Sequence, residues 1–125
     1  MNHYDYEKAV ASFNYYRQEL YMLLCLLEQY DRADLLAKKN SYLQLIAHFK
    51  ALKEELKKEI KILIQYDANM LVCDFLLPSL SVVFIYLQDI GVNRINPNSI
   101  NKVIQHVKRA YLFMEQHHQK LMEAK

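Results

Sequence analysis

Histidine, cysteine and acidic side chains are the first candidates for chemistry in this chain, because they bind metals and transfer protons. The sequence has five histidines, yet no two of them lie four residues apart on one helix. Glu115 and His118 form one Glu-x-x-His step, the unit of di-iron helical bundles. Such a site requires a second step and two further glutamates, and the sequence has no second step. We therefore expect no metal site.

The two cysteines, Cys25 and Cys73, both lie in apolar stretches. A nucleophilic cysteine needs a basic neighbour and partial exposure, so we expect both thiols to serve as packing. Gly91 is the only glycine, which excludes the glycine-rich loops that bind phosphate. The sequence thus predicts no catalytic residue, no cofactor and a protein that is not an enzyme.

The elements that would position any functional residue are long helices. The 125 residues include one glycine and two prolines, too few for the many tight turns of a β protein. A content of 53% hydrophobic and 24% charged residues is that of a globular domain with its own core. We predict a single all-α domain over residues 1–125, an antiparallel four-helix bundle. Its helices are predicted at about residues 5–30, 32–66, 68–90 and 97–123.

Three of these segments carry an apolar stripe in steps of four and three, which keeps the side chains on one side of a helix. In the first segment the stripe is Ala9, Phe13, Tyr16, Leu20, Leu23, Leu27 and Tyr30. In the second it is Leu35, Tyr42, Leu45, Phe49, Leu52, Leu56, Ile60 and Leu63. In the last it is Ile100, Val103, Val107, Ala110, Met114, His117 and Leu121. These stripes are predicted to form the core.

Helix ends are indicated by a few polar residues, glycine and proline. Asp5 is a candidate N-cap for the first helix, and Asp31 or Asp34 for the second. Gly91 is predicted to end the third helix. Asn96-Pro97 is predicted to start the fourth, since a proline in the first turn needs no hydrogen-bond partner.

The third segment, residues 68–90, has no polar face. Such a helix is either buried on all sides or lies in lipid, and its length approaches the roughly 20 residues that span a bilayer. Asp74, Pro78, Ser79 and Ser81 favour a central core helix over a membrane span, which stays the alternative for residues 70–90. Pro78 removes a backbone donor inside this segment, so we name it a candidate hinge or kink.

The first helix carries a second apolar stripe, formed by Tyr15, Met22 and Leu26, on the side opposite its core stripe. Exposed apolar stripes tend to bind partners, although a helix packed on both sides would have the same pattern. This stripe favours a protein–protein interaction module, such as an adaptor, small chaperone or regulator. Its partner would be another protein, or a second copy in a homodimer.

A nucleic-acid-binding regulator is the alternative, using the basic residues Lys102, Lys108 and Arg109 of the last helix. The net charge of only +2, from basic and acidic residues that interleave, disfavours it. The first residues lack the basic and apolar regions of a signal peptide. We therefore expect a cytoplasmic protein.

One stretch, Tyr30-Asp31 followed by Leu35-Leu36 and then Tyr42-Leu43-Gln44-Leu45-Ile46, resembles the helix junction of the small export chaperones of the bacterial flagellum. The resemblance covers about 17 of the 125 residues. It implies a helical bundle that shields one export substrate, and it transfers no site residue to this chain. The apolar third segment departs from that family.

Overall fold

The computed structural model describes residues 5–66, 71–93 and 99–123. Its four α-helices, in chain order, are α1 (Tyr6–Arg32), α2 (Leu35–Leu63), α3 (Leu77–Asn93) and α4 (Ile100–Glu123). A 3₁₀ turn, Ile64–Tyr66, follows α2, and a π-helical turn, Val72–Leu76, leads into α3. The predicted all-α four-helix bundle is confirmed.

Contacts between neighbouring helices show antiparallel packing. The hydroxyl of Tyr6, the first residue of α1, donates to the carbonyl oxygen of Leu121 near the end of α4, at 2.8 Å. The hydroxyl of Tyr16 donates to the carbonyl oxygen of Glu55 on α2, at 3.1 Å. α1 and α3 each pack against both α2 and α4. The four helices therefore form a ring in which each has two neighbours and one inward side.

The predicted core stripes of α1 and α4 lie on these inward sides. All seven α1 positions are buried, as are six of the seven α4 positions, while His117 is half-buried. The α2 stripe is buried at five positions, from Leu45 to Leu63. Its predicted first member, Leu35, is 92% exposed, so that assignment is wrong. Leu35 begins the first turn of α2, at the end of the bundle, where neither neighbouring helix covers it.

Two aspartates cap the first two helices. The carboxylate of Asp5 accepts a hydrogen bond from the backbone N–H of Lys8, at 2.8 Å. Asp34 accepts one from Ala37 in the same way, at 2.9 Å. Side-chain acceptors of this kind satisfy backbone donors that the first helical turn leaves free. The two predicted caps are confirmed, and the short break at residues 33–34 turns the chain from α1 into α2.

The predicted end of the third helix at Gly91 is wrong, because α3 continues to Asn93. Glycine inside a helix costs about 1 kcal/mol relative to alanine. Burial of Leu87 and Ile90 immediately before it offsets this cost by holding the helix against the core. The predicted start of the fourth helix, Asn96-Pro97, lies outside the described residues.

The third helix is not buried on all sides, and that prediction is wrong. Its buried residues form one stripe, at Val72, Leu76, Ser79, Leu80, Val83, Leu87 and Ile90. In a ring of four helices each helix has only one inward side; full burial would need a helix at the centre of the ring. The half-buried Leu77, Phe84 and Tyr86 pack against this core from the flanks of α3. Pro78, Val82 and Ile85 instead stand on the side that faces away from it.

Pro78 lies in the first turn of α3, directly after the π-turn, and is exposed. The backbone N–H of Leu77 donates to the carbonyl oxygen of Val72, five residues back rather than four. Pro78 has no backbone N–H to donate to the carbonyl oxygen of Asp74 in the preceding turn, and π-turns of this kind occur where the regular hydrogen-bond ladder is interrupted. The π-turn thus accommodates the proline within one helical segment, and its role as a hinge stays a prediction.

Candidate interaction surface

The outward side of α3 is the apolar surface that the sequence analysis did not anticipate. Residues 75–88 form the longest run of the chain without Asp, Glu, Lys or Arg. Pro78 is exposed, Val82 is half-buried and Ile85 is 63% exposed. These three residues, here called the outer stripe, follow each other in steps of four and three, so they line one side of the helix. The outer stripe is an apolar line with no charged residue within it.

Lysines lie on the flank of α2 that faces α3. Tyr15 on α1 donates a hydrogen bond to the carboxylate of Glu55, at 2.7 Å, so the Glu55 flank of α2 faces α1. Lys53 and Lys57 lie two residues to either side of Glu55, about 160° from it around the helix. They therefore lie on the opposite flank, beside α3. Lys50, three residues before Lys53, lies further out on the same flank, whereas Lys61 faces away from the bundle.

Basic residues of α4 border the outer stripe on the other side. The ring of His106 packs edge-on against Tyr86 of α3, with 6.0 Å between ring centroids. Lys102 and Arg109 stand four residues before and three residues after His106, so they share its side of α4. Both are exposed. Lys120 stands three residues after His117 and shares its side of α4. The ring of His117 contacts that of Phe75, just before α3, with 5.9 Å between ring centroids.

Six basic side chains, three on α2 and three on α4, thus flank α3 on its two sides. Three acidic residues lie among them, Glu54 on α2 and Asp74 and Asp89 at the two ends of the outer stripe. Asp89 is near His106, with 3.6 Å between its carboxylate and Nδ1. Basic residues therefore predominate on both sides of the stripe, and acidic residues close its ends.

The predicted stripe on α1 is only partly free. Tyr15 is 42% exposed, but its hydroxyl is held by Glu55 and its ring packs edge-on against Tyr16, at 5.1 Å. The hydrogen bond to the Glu55 carboxylate raises the pKa of Tyr15 to about 12. Leu26 is half-buried and packs against the core. Met22, 50% exposed, is the member that points away from the bundle.

Met22 lies in an open groove between α1 and α4. Arg17, Gln18, Tyr21 and Tyr111 complete its lining. The rings of Tyr21 and Tyr111 are 5.6 Å apart, so they span from α1 to α4. Interface roles for Tyr15, Met22 and Leu26 stay predictions, and of the three the structure leaves Met22 most accessible.

The three basic residues named for nucleic-acid binding do not share one side of α4. Lys108 is one residue before Arg109, about 100° away around the helix. Lys108 lies seven residues, or about two helical turns, before Glu115, so the two residues share one side of α4. That side faces α1. Lys102 and Arg109 instead flank α3. All three are exposed, but they form no single basic face.

A polar contact between α1 and α4 was missed by the sequence analysis. The guanidinium of Arg17 forms an ion pair with the carboxylate of Glu115 and also binds the side chain of Asn14. The hydrogen bond from Arg17 lowers the pKa of Glu115, aided by one from Tyr111. Burial raises the pKa of Tyr111, aided by its hydrogen bond to Glu115. Residues 98 apart in sequence meet here, and no local spacing could indicate it.

The two adjacent histidines of α4 serve as packing partners. The His117 ring lies 4.2 Å from that of Phe113, and its Nδ1 is 2.8 Å from the Phe113 carbonyl oxygen. The ring of His118 stacks on Phe13 of α1, at 6.3 Å. Residues 5–66, 71–93 and 99–123 hold no group of three or more His, Cys, Asp or Glu side chains that could bind a metal. His117 and His118 therefore pack helices against each other within the described residues.

The cysteines differ from each other. Cys73 is half-buried, and its thiol lies 3.8 Å from the carbonyl oxygen of Tyr66. Cys25 is exposed, so the expectation that it serves as packing is wrong. It lies on α1 beside an open pocket of about 540 Å³ at the turn into α2. Among the described residues, the lining of this pocket includes Glu28, Arg32 and Asp34 and no histidine.

One helix of the described residues, Val72–Ile90, is long and apolar enough to cross a membrane, with a mean hydropathy of 1.4. One-third of that window is buried within the bundle. Core helices of soluble proteins also meet this criterion of length and composition.

Comparison with protein-family models, with curated proteins and with solved structures gives no match for this chain. The resemblance to the flagellar export chaperones therefore rests on the residues quoted above alone.

Proposed function

We propose that this chain is a non-enzymatic protein–protein interaction module that binds its partner through the outer stripe of α3. The observation that supports this most is the exposure of Ile85, at 63%, within the longest run of the chain without charged residues. Leaving an isoleucine in water costs free energy that burial against a partner would recover, about 25 cal/mol for each Å² of apolar surface covered.

The position of the outer stripe also supports the proposal. The inward side of α3 holds the helix against the core through buried residues such as Leu80 and Leu87. A binding surface on such a helix is rigid, so its side chains need little ordering when a partner docks, and less of the binding free energy is lost. The α1 stripe offers less free apolar surface to a partner, because Tyr15 is hydrogen-bonded to Glu55 and Leu26 packs against the core.

A nucleic-acid partner is less favoured. Phosphate binding draws on basic residues that converge on one face, whereas Lys108 diverges from Lys102 and Arg109. The apolar line between the two basic borders would face the phosphates without a gain in free energy. We therefore expect that the wild-type chain does not retain DNA or RNA even at low salt.

Photo-crosslinking in the cells that express the chain tests the proposal. A photoreactive amino acid placed at Ile85 should yield an adduct with a partner protein, whereas the same probe at Leu112 should not. Leu112 is a matched control, since it is a large apolar residue of α4 that is also exposed, at 47%. The absence of a protein adduct at position 85, or equal adducts at both positions, would contradict the proposal.

A probe at Met22 in the same experiment tests the surface predicted from the sequence. Adducts at position 22 without adducts at position 85 would move the interface to α1 and leave the interaction function in place.

A further inference from the structure

We infer that the partner segment is an acidic amphipathic helix that lies along the outer stripe, between the basic borders of α2 and α4. This inference rests on the proposed function and adds the chemistry of the partner. It commits to a helix with apolar side chains in steps of four and three and with Glu or Asp on both of its flanks.

The length of the surface favours a helix. Pro78 and Ile85 are seven residues apart, or about 10 Å along the axis at 1.5 Å per residue. Two helical turns of a partner present apolar side chains at i, i+4 and i+7 over the same distance. Asp74 and Asp89 stand four residues before Pro78 and four residues after Ile85, so they close the apolar line at both ends.

The charges favour an acidic partner. On α2 the border is Lys50, Lys53 and Lys57, and on α4 it is Lys102, Arg109 and Lys120. The amine of Lys53 lies 5.5 Å from the ring centroid of Phe49, which orders the lysine along the helix surface. Acidic residues on both flanks of a docked helix would face these two rows.

The same charges disfavour two other occupants. A second copy docked through its own outer stripe would bring lysines against lysines, which costs free energy. An anionic lipid surface would be attracted by the basic borders, but the exposed carboxylates of Asp74 and Asp89 would meet it directly at both ends of a line only two turns long. A helix of matching length avoids both conflicts.

Fluorescence anisotropy with designed peptides tests the inference on the full chain. The probe is a labelled helical peptide with leucines at i, i+4 and i+7 and glutamates on both flanks; two matched peptides carry glutamine or lysine in place of each glutamate. We expect the glutamate peptide to bind about tenfold more tightly than the glutamine peptide at low salt, because several exposed ion pairs form. The difference should shrink at high salt.

Neighbouring residues provide matched controls for the borders. Lys57→Glu and Arg109→Glu should each weaken binding of the glutamate peptide about three- to fivefold. Lys58→Glu and Lys108→Glu make the same charge change one residue away, on other sides of the same helices, and should change it less than about twofold. The double variant Lys57→Glu/Arg109→Glu should gain affinity for the lysine peptide. Ile85→Asp should abolish binding of all three peptides.

Several results would overturn the inference. Equal binding of the three peptides would remove the charge preference while leaving the interaction function standing. No binding of the glutamate peptide would remove the helical partner. Sedimentation with phosphatidylserine vesicles that is lost in Arg109→Glu and kept in Lys108→Glu would point to a lipid surface. A dimer in light scattering that Ile85→Asp dissociates would point to a second copy.

Discussion

At the scale of single residues, the ion pair between Arg17 and Glu115 is the clearest link between the two terminal helices. The arginine side chain is 20% exposed and the glutamate 37%. A pair in this half-exposed position is weaker than a buried one, because water screens it. The contact fixes the register of α1 against α4 at mid-height, while Tyr6 fixes it at one end through Leu121.

The pKa of Glu115 gives this ion pair a pH signature. Because its pKa in the folded chain is below the ordinary value of 4.5, its contribution to stability is fully present above about pH 4.5 and is lost as the pH falls through the lowered pKa. We predict that Glu115→Gln lowers the free energy of unfolding by about 0.5–1 kcal/mol at pH 7 and by almost nothing at about pH 2. Urea denaturation at both pH values measures this.

Glu54→Gln provides the control for that prediction, since Glu54 is an exposed glutamate of α2. Its replacement should change the free energy of unfolding by less than about 0.5 kcal/mol at either pH. A Glu115→Gln effect that is the same at both pH values would contradict the assignment of the lowered pKa to the ion pair.

At the scale of elements, the sequence predicted the helices that have one clear stripe and failed on the one that does not. The steps of four and three from Ala9 to Tyr30 identify the inward side of α1 because the other sides are polar. In α3 nearly every side chain is apolar, so composition alone cannot tell which side turns inward. That choice depends on the neighbours, and the order of contacts around the ring is not encoded in local spacing.

The asymmetry of α3 predicts different costs for two similar truncations. Leu80→Ala should lower the free energy of unfolding by about 2–5 kcal/mol, because Leu80 is fully buried and its loss leaves a cavity. Ile85→Ala should change it by less than about 0.5 kcal/mol, because Ile85 faces outward. Chemical denaturation monitored by circular dichroism compares the two. Equal costs would show that both sides of α3 are covered.

The helix ends show the same division between local and distant information. Asp5 and Asp34 could be predicted as caps because a cap is a contact between residues three apart in sequence. The Arg17–Glu115 contact could not, because it depends on the bundle being formed. The candidate site was missed for that reason too: Lys57 and Arg109 lie on different helices, and only the ring brings both to α3.

At the scale of the whole molecule, the surface is uneven in charge and polarity. On α1, Tyr15 is hydrogen-bonded to Glu55 of α2 and Leu26 packs against the core. α3 presents an uncharged apolar line, with three lysines on α2 and three basic residues on α4 at its sides. Covering this exposed apolar line with a partner would lower the free energy by removing apolar surface from water, which is why we place the interaction there.

The affinity of the full chain for the protein captured at position 85 most directly tests whether the outer stripe of α3 is the interface. Isothermal titration calorimetry should show that Ile85→Asp weakens binding at least tenfold, or about 1.4 kcal/mol, while Met22→Asp changes it by less than about twofold. Circular dichroism should be unchanged in both variants. Full affinity in Ile85→Asp together with loss of binding in Met22→Asp would contradict the account and place the interface on α1.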